Sequence, residues 1–331
     1  MDTALLVFIG GVLISYVYAF VSGFTDAANA IATAVGTRAF TPMQAVIIAA
    51  LFEMLGALTG TAVALTIGKG IIRPELLTQS AVIAAVAGAM TWSLLAYLRG
   101  IPVSETHGLI GGILGVGLAT AGPESIIWDG VLPVLVAIVA SPFLGVLGGA
   151  LMLILVMQVF SRMKRRNANA WSLNLQRLSS IYMAFSHGRN DAQKPMGVLT
   201  LALITYFGVT YDAVPVWIIV TVAAVAALGV AAGGWRIIRT LGMRITGLRP
   251  EQGFAAETAA GTVLQFASEA GIPVSTTHTI TSAIVGVGLV TGWKAIRWSI
   301  VIEIVISWVL TLPAAIAFGF LYSVLLRPLI G

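Results

Sequence analysis

Stretches 4–22, 44–67, 80–98, 131–158, 213–233 and 300–324 are mostly apolar, at or near the roughly 20 residues a helix needs to cross a bilayer. Nothing constrains this chain more. In hydrocarbon every backbone N–H and C=O must be satisfied within the protein, so long apolar runs of this kind fold as helices. Composition agrees: 58% of the 331 residues are hydrophobic and 9% are charged, where a soluble domain carries about 25% charged residues. The expected class is an all-α integral membrane protein of about 10–12 membrane segments, in the cell membrane and multi-pass. Met1–Phe20 has neither a basic n-region nor a cleavage site, and reads as the first membrane helix rather than a removed signal. The absence of cysteine excludes disulfides, thiolate metal sites and cysteine nucleophiles.

Half of the basic residues cluster in 161–178 (Arg162, Lys164, Arg165, Arg166, Arg177) and 235–249 (Arg236, Arg239, Arg244, Arg249). Short basic segments stay on the cytoplasmic side, which accounts for the net charge of +5 without a nucleic-acid partner.

The chain is duplicated. Gly23-Phe24-Thr25-Asp26-Ala27 recurs as Gly188-Arg189-Asn190-Asp191-Ala192, and Pro102-Val103-Ser104-Glu105-Thr106-His107 recurs as Pro273-Val274-Ser275-Thr276-Thr277-His278. SYVYAF at 15–20 matches SIYMAF at 180–185, so 1–14 reads as a lead-in that the second half lacks. The expected organisation is a first repeat over 1–160, a basic cytoplasmic linker over 161–178 and a second repeat over 179–331. The octet His187–Lys194 interrupts 179–207 and predicts a broken helix; helical hairpins and inverted repeats complete the expected architecture. Orientation turns on 102–120. A dip that returns to its own side would make the two Asp motifs parallel, and a net crossing would make them opposite.

Charge inside hydrocarbon is costly and marks ion or substrate pathways, and matched copies point to one site at a repeat interface. Each Pro-Val-Ser motif should open a half-helix whose free amides and dipole attract an anion. Ser104, Thr106 and Asn29, with Asn190, Ser275, Thr276 and Thr277, are the candidate anion ligands. Asp26, Asp191, Thr25, Glu53 and Glu257 suit a hard cation or a proton. His107, His187, His278, Arg189 and Lys194 are supporting candidates; Phe24 and Asn29 stand at the positions of Arg189 and Lys194 in the first repeat. The competing reading is ordinary capped helix ends, with acids paired to Arg189, Lys194 or a histidine.

FSHGRNDAQKPMGV at 185–198 and GFTDAANAIATAVGTR at 23–38 resemble the two signatures of the inorganic phosphate transporter (PiT) family, bacterial type. The resemblance implies import of inorganic phosphate by Na⁺ or H⁺ symport with alternating access, no cofactor beyond the coupling ion, and glutamates in the membrane at Glu53 and Glu257. The chain departs from the family pattern at Thr25, Glu105 and Pro195, and Glu105 makes the two half-sites unequal. Phosphate, the coupling cation and the lipid bilayer are the expected partners, with a homodimer left open. Alternative readings are a transporter of another oxyanion such as sulfate, an intramembrane hydrolase using Ser104 or Ser275 with a histidine, and a channel.

Overall fold

The computed structural model describes residues 3–209 and 211–330. Among these residues no strand forms, and thirteen α-helices follow one another in two sets of the same order. The first set is α1 (Thr3–Gly36), α2 (Pro42–Ala57), α3 (Ala62–Lys69), α4 (Gln79–Arg99), α5 (Glu105–Thr120) and α6 (Trp128–Phe160). In the second set α7 (Arg165–Asp191) and α8 (Gln193–Phe207) together answer to α1. There α9 (Val216–Ala232) and α10 (Trp235–Arg239) answer to α2–α3, and α11 (Pro250–Glu269), α12 (Thr276–Thr291) and α13 (Trp298–Ile330) to α4, α5 and α6.

Both sets carry a broken helix at the same place. The apolar stretch 44–67 is not one helix but α2 and α3, bent by 70°, and α9 bends by 59° into the α10 segment. The octet around Asp191 behaves differently from expectation. Helix α7 runs through His187 and Asp191, and α8 resumes at Gln193, so the interruption is Ala192 alone. Pro195 supplies the cause, because a proline ring lacks the N–H that would bond to the carbonyl four residues back, here that of Asp191. Ala30 stands at the equivalent place in α1, which is unbroken.

The direction of the repeats follows from the bases of two hairpins. Ile127 N–H donates to Ile71 C=O at 3.0 Å, so the chain leaving α5 lies beside the chain that precedes α4. Arg297 N–H donates to Ile245 C=O at 2.9 Å, closing α11–α12 in the same way. Helix α4 is long enough to cross at 21 residues, yet it goes in and α5 comes back. The pair therefore adds no net crossing, and the dip involves both helices rather than 102–120 alone, so α4 does not count as the crossing its length suggests. Counting α1, α2–α3 and α6 as crossings, α7 starts on the side where α1 ends, and the repeats are inverted. With three crossings and one two-helix hairpin each, they give the ten membrane segments at the lower end of the expected range. The basic linkers share one face, which the positive-inside rule places in the cytoplasm. The other face carries Glu75, Glu124, Asp129 and Asp212 in or beside its loops.

The lead-in is present in both halves. Residues 165–179 continue α7 upstream just as 3–14 do in α1, but they are polar, so the apolar pattern hides them. Of the basic stretch 161–178, only 161–164 lies outside a helix.

Packing crosses between repeats: α6 lies against α11 and α12, and α13 against α4 and α5. The motif glycines make the central crossings close. A Cβ on Gly23 would meet Ala226 O at 2.2 Å, and one on Gly188 would meet Glu53 O at 2.1 Å. Helix α1 thus presses on α9 as α7 presses on α2, and small residues are what allow helices in a membrane to approach so closely.

Candidate functional site

The two hairpin tips meet at the centre. Ser104 and Ser275 are the N-caps of α5 and α12, each accepting a hydrogen bond from a backbone N–H, that of His107 at 3.2 Å and of His278 at 3.1 Å. The tips are tied reciprocally: Thr106 Oγ1 donates to Val274 O at 2.7 Å, and Thr277 Oγ1 donates to Val103 O at 3.0 Å. Two helix N-termini therefore face each other, with first-turn amides that have no acceptor within their own helix. Their dipoles add in favour of an anion between them. Behind the tips His107 and His278 meet edge to face at 4.5 Å, and His278 stacks on Trp308 at 3.9 Å.

The Asp motifs of α1 and α7 flank the tips. Asn29 Nδ2 donates to Thr277 Oγ1 at 2.9 Å and Thr276 Oγ1 at 3.3 Å. Thr276 Oγ1 donates to Asp191 Oδ2 at 3.2 Å. Asp191 is further met by Lys194 Nζ at 2.7 Å on Oδ1 and by His187 Nε2 at 3.1 Å on Oδ2. His187 Nδ1 lies 3.1 Å from Glu53 Oε2. One atom each of Asp26, His187 and Asp191 lie within 4.8 Å of one another, an arrangement able to hold a cation. In the first half-site Thr25 Oγ1 donates to Glu105 Oε1 at 2.8 Å. All of these side chains are buried, Lys194 completely.

The structure thus brings together Asp26, Asp191, Thr25, Asn29, Glu53, Ser104, Thr106, Ser275, Thr276, Thr277, His187 and Lys194. Asn190 turns away, donating to Ser268 Oγ at 2.9 Å. Arg189 also lies outside, bonded to Gln265 at 2.6 Å and paired with the exposed Glu269. Glu257 forms a second buried cluster, receiving hydroxyls from Thr33 (2.5 Å), Ser179 and Ser180 (2.9 Å). Two side chains at the centre lie outside the ligand set expected from the motifs. Glu105 was visible as the acid where the second repeat has Thr276, but stood outside the ligand set. Gln193 accepts from the N–H groups of Val63 (2.8 Å) and Ala64 (3.2 Å), capping α3 at the break in its helix; its only sequence signal is its place beside Lys194.

A serine hydrolase does not fit. The hydroxyls of Ser104 and Ser275 face the backbone amides of the histidines three residues on, not their imidazole rings.

Comparison with known proteins gives the same direction. A model of the phosphate transporter family matches residues 22–175 and again 161–319, one match for each repeat. A "probable low-affinity inorganic phosphate transporter" of Rhizobium meliloti is 43% identical over 310 residues, covering 93% of this chain and 92% of the relative. A relative of the same description from Bacillus subtilis is 36% identical over 322 residues, covering 96% and 97%. A solved structure titled "The sodium-dependent phosphate transporter" superposes with a TM-score of 0.89 at 27% identity, covering 98% of this chain and all of that one. Two inverted repeats, their motifs joined at one buried site, and both halves matched by one family model lead to a single statement: this chain is a membrane transporter, not an enzyme, and belongs to the phosphate transporter family.

Proposed function

We propose that this chain imports inorganic phosphate by symport with a monovalent cation, Na⁺ or H⁺, through alternating access. The observation that carries the reading is the pair of facing helix N-termini at Ser104 and Ser275 with Asp26 and Asp191 beside them. The tips supply amides and hydroxyls to a tetrahedral oxyanion. Thr106, Thr276, Thr277 and Asn29 surround that position, while Asn190 and Arg189 bond to other partners away from it. The acids hold the cation that moves with the anion.

The energetics require such a partner. Moving one charge across the membrane costs about 2.3 kcal/mol per 100 mV, so importing a phosphate dianion against an inside-negative potential costs about twice that. Buried carboxylates next to an anion would be repulsive by themselves, and cations between them remove the conflict. Inverted repeats supply the two access states, since exchanging the conformations of the two halves opens the site to the opposite face. The proposed ligands all come from one chain.

The test is phosphate uptake into proteoliposomes with Na⁺ and pH gradients imposed independently. Accumulation driven by either gradient is expected, and unlabelled sulfate should compete poorly. Uptake that never exceeds equilibrium under both gradients would sink symport, and full competition by sulfate would move the substrate to oxyanions in general.

A further inference from the structure

The two half-sites are related by the repeat but differ in charge. Lys194 stands where the first repeat has Asn29, and Glu105 stands where the second has Thr276. In the second half-site Asp191 is fully engaged, Oδ1 by Lys194 and Oδ2 by His187 and Thr276. His187 also faces Glu53. In the first half-site there is no counterpart to that ammonium. Among the described residues Asp26 Oδ2 and Glu105 Oε2 are buried without a hydrogen-bond partner, as is Glu53 Oε1 beside His187, although Asp26 and Glu105 are only 4% and 1% exposed. Thr25, next to Asp26 in the chain, donates to the other oxygen of Glu105. Buried charge without a partner is costly, so each of the Asp26 and Glu105 oxygens calls for a positive charge.

Resting on the symport reading above, we propose that the Lys194 ammonium is a built-in cation of the second half-site, and that the exchangeable cation is a single one, held in the first half-site by Asp26 and Glu105 with Thr25. An ammonium fixed to the chain neutralises Asp191 but cannot leave with the substrate. It therefore replaces one coupling ion and lowers the number that each phosphate carries. The swap of Thr for Glu at position 105 completes the change, adding a ligand on the side that keeps a mobile ion.

The purified full chain in proteoliposomes tests this, with phosphate uptake measured against Na⁺ at fixed pH and against pH at fixed Na⁺. The arm that responds identifies the ion. Wild type should show first-order dependence on it. Lys194→Asn, which copies the first repeat, should approach second order and retain uptake at saturating cation. Glu105→Thr, which copies the second repeat, should lose most of the cation dependence. Second-order dependence in wild type, or unchanged first order in Lys194→Asn, would overturn the proposal. If Lys194→Asn does not transport, the thermal midpoint of the purified variant against cation concentration replaces the rate. Two-ion stabilisation supports the proposal, whereas one-ion stabilisation, no cation response or loss of a cooperative melt overturns it and leaves Lys194 a structural partner of Asp191. Absence of accumulation by wild type under either gradient would instead strike the transport reading itself.

Discussion

Asp26 and Asp191 occupy matching places in the repeat, yet their surroundings differ. Asp191 touches an ammonium, an imidazole and a hydroxyl, while Asp26 Oδ2 touches no partner. Removing either charge should abolish coupled uptake, by different routes. Asp26→Asn deletes a ligand of the mobile cation, so its loss should be partly offset by raised cation concentration. Asp191→Asn leaves Lys194 buried without its counter-charge, and breaking a buried pair in this way costs about 3–5 kcal/mol. It should lower the thermal midpoint as well as uptake, and a normal midpoint would mean that Lys194 has another partner. Ser104 and Ser275 act as caps at the tips where the anion is proposed to bind. Ser275→Ala should weaken phosphate binding and cost about 1 kcal/mol of stability; unchanged phosphate affinity in both Ser→Ala variants would place the anion elsewhere.

Helices bring these residues together through contacts that leave no room for side chains. Gly188 lies against Glu53 O, and Gly23 against Ala226 O, so the glycine in each Asp motif is set by a helix crossing rather than by chemistry. Gly188→Val should force α7 away from α2 and separate His187 from Glu53. Overpacking of this kind costs about 1–3 kcal/mol, read as a lower thermal midpoint with reduced uptake, whereas the exposed Val209→Ala should change neither. Pro195 explains why α7–α8 breaks at Ala192 while α1 does not. That asymmetry was present in the sequence as Pro195 against Ala30, but a polar octet looked like a longer interruption than one residue.

At the scale of the molecule, the inverted arrangement predicts that equivalent loops lie on opposite faces. The chain has no cysteine, so single-cysteine variants report alone. Glu124→Cys, between α5 and α6, should react with an impermeant thiol reagent from outside, and Trp293→Cys, between α12 and α13, only from the cytoplasmic side; both positions are exposed. Labelling of both from one side would overturn the topology. Membrane class, duplication and most of the residues at the centre are legible along the chain, because apolar length, repeated motifs and charged residues in apolar runs each have a local signature. The remainder depends on how distant segments pack. Helix α4 has the length of a crossing, and the backbone pairing at the hairpin base, Ile127 with Ile71 and Arg73 with Ser125, shows that it turns back. Glu257, Asn190 and Arg189 share the motif or the hydrocarbon setting of the central acids, yet they point to Ser179, Ser268 and Glu269. Glu105 joins the site through Thr25, 80 residues away. Which face of a helix meets which neighbour depends on packing between distant segments, and residue type and spacing do not encode that locally.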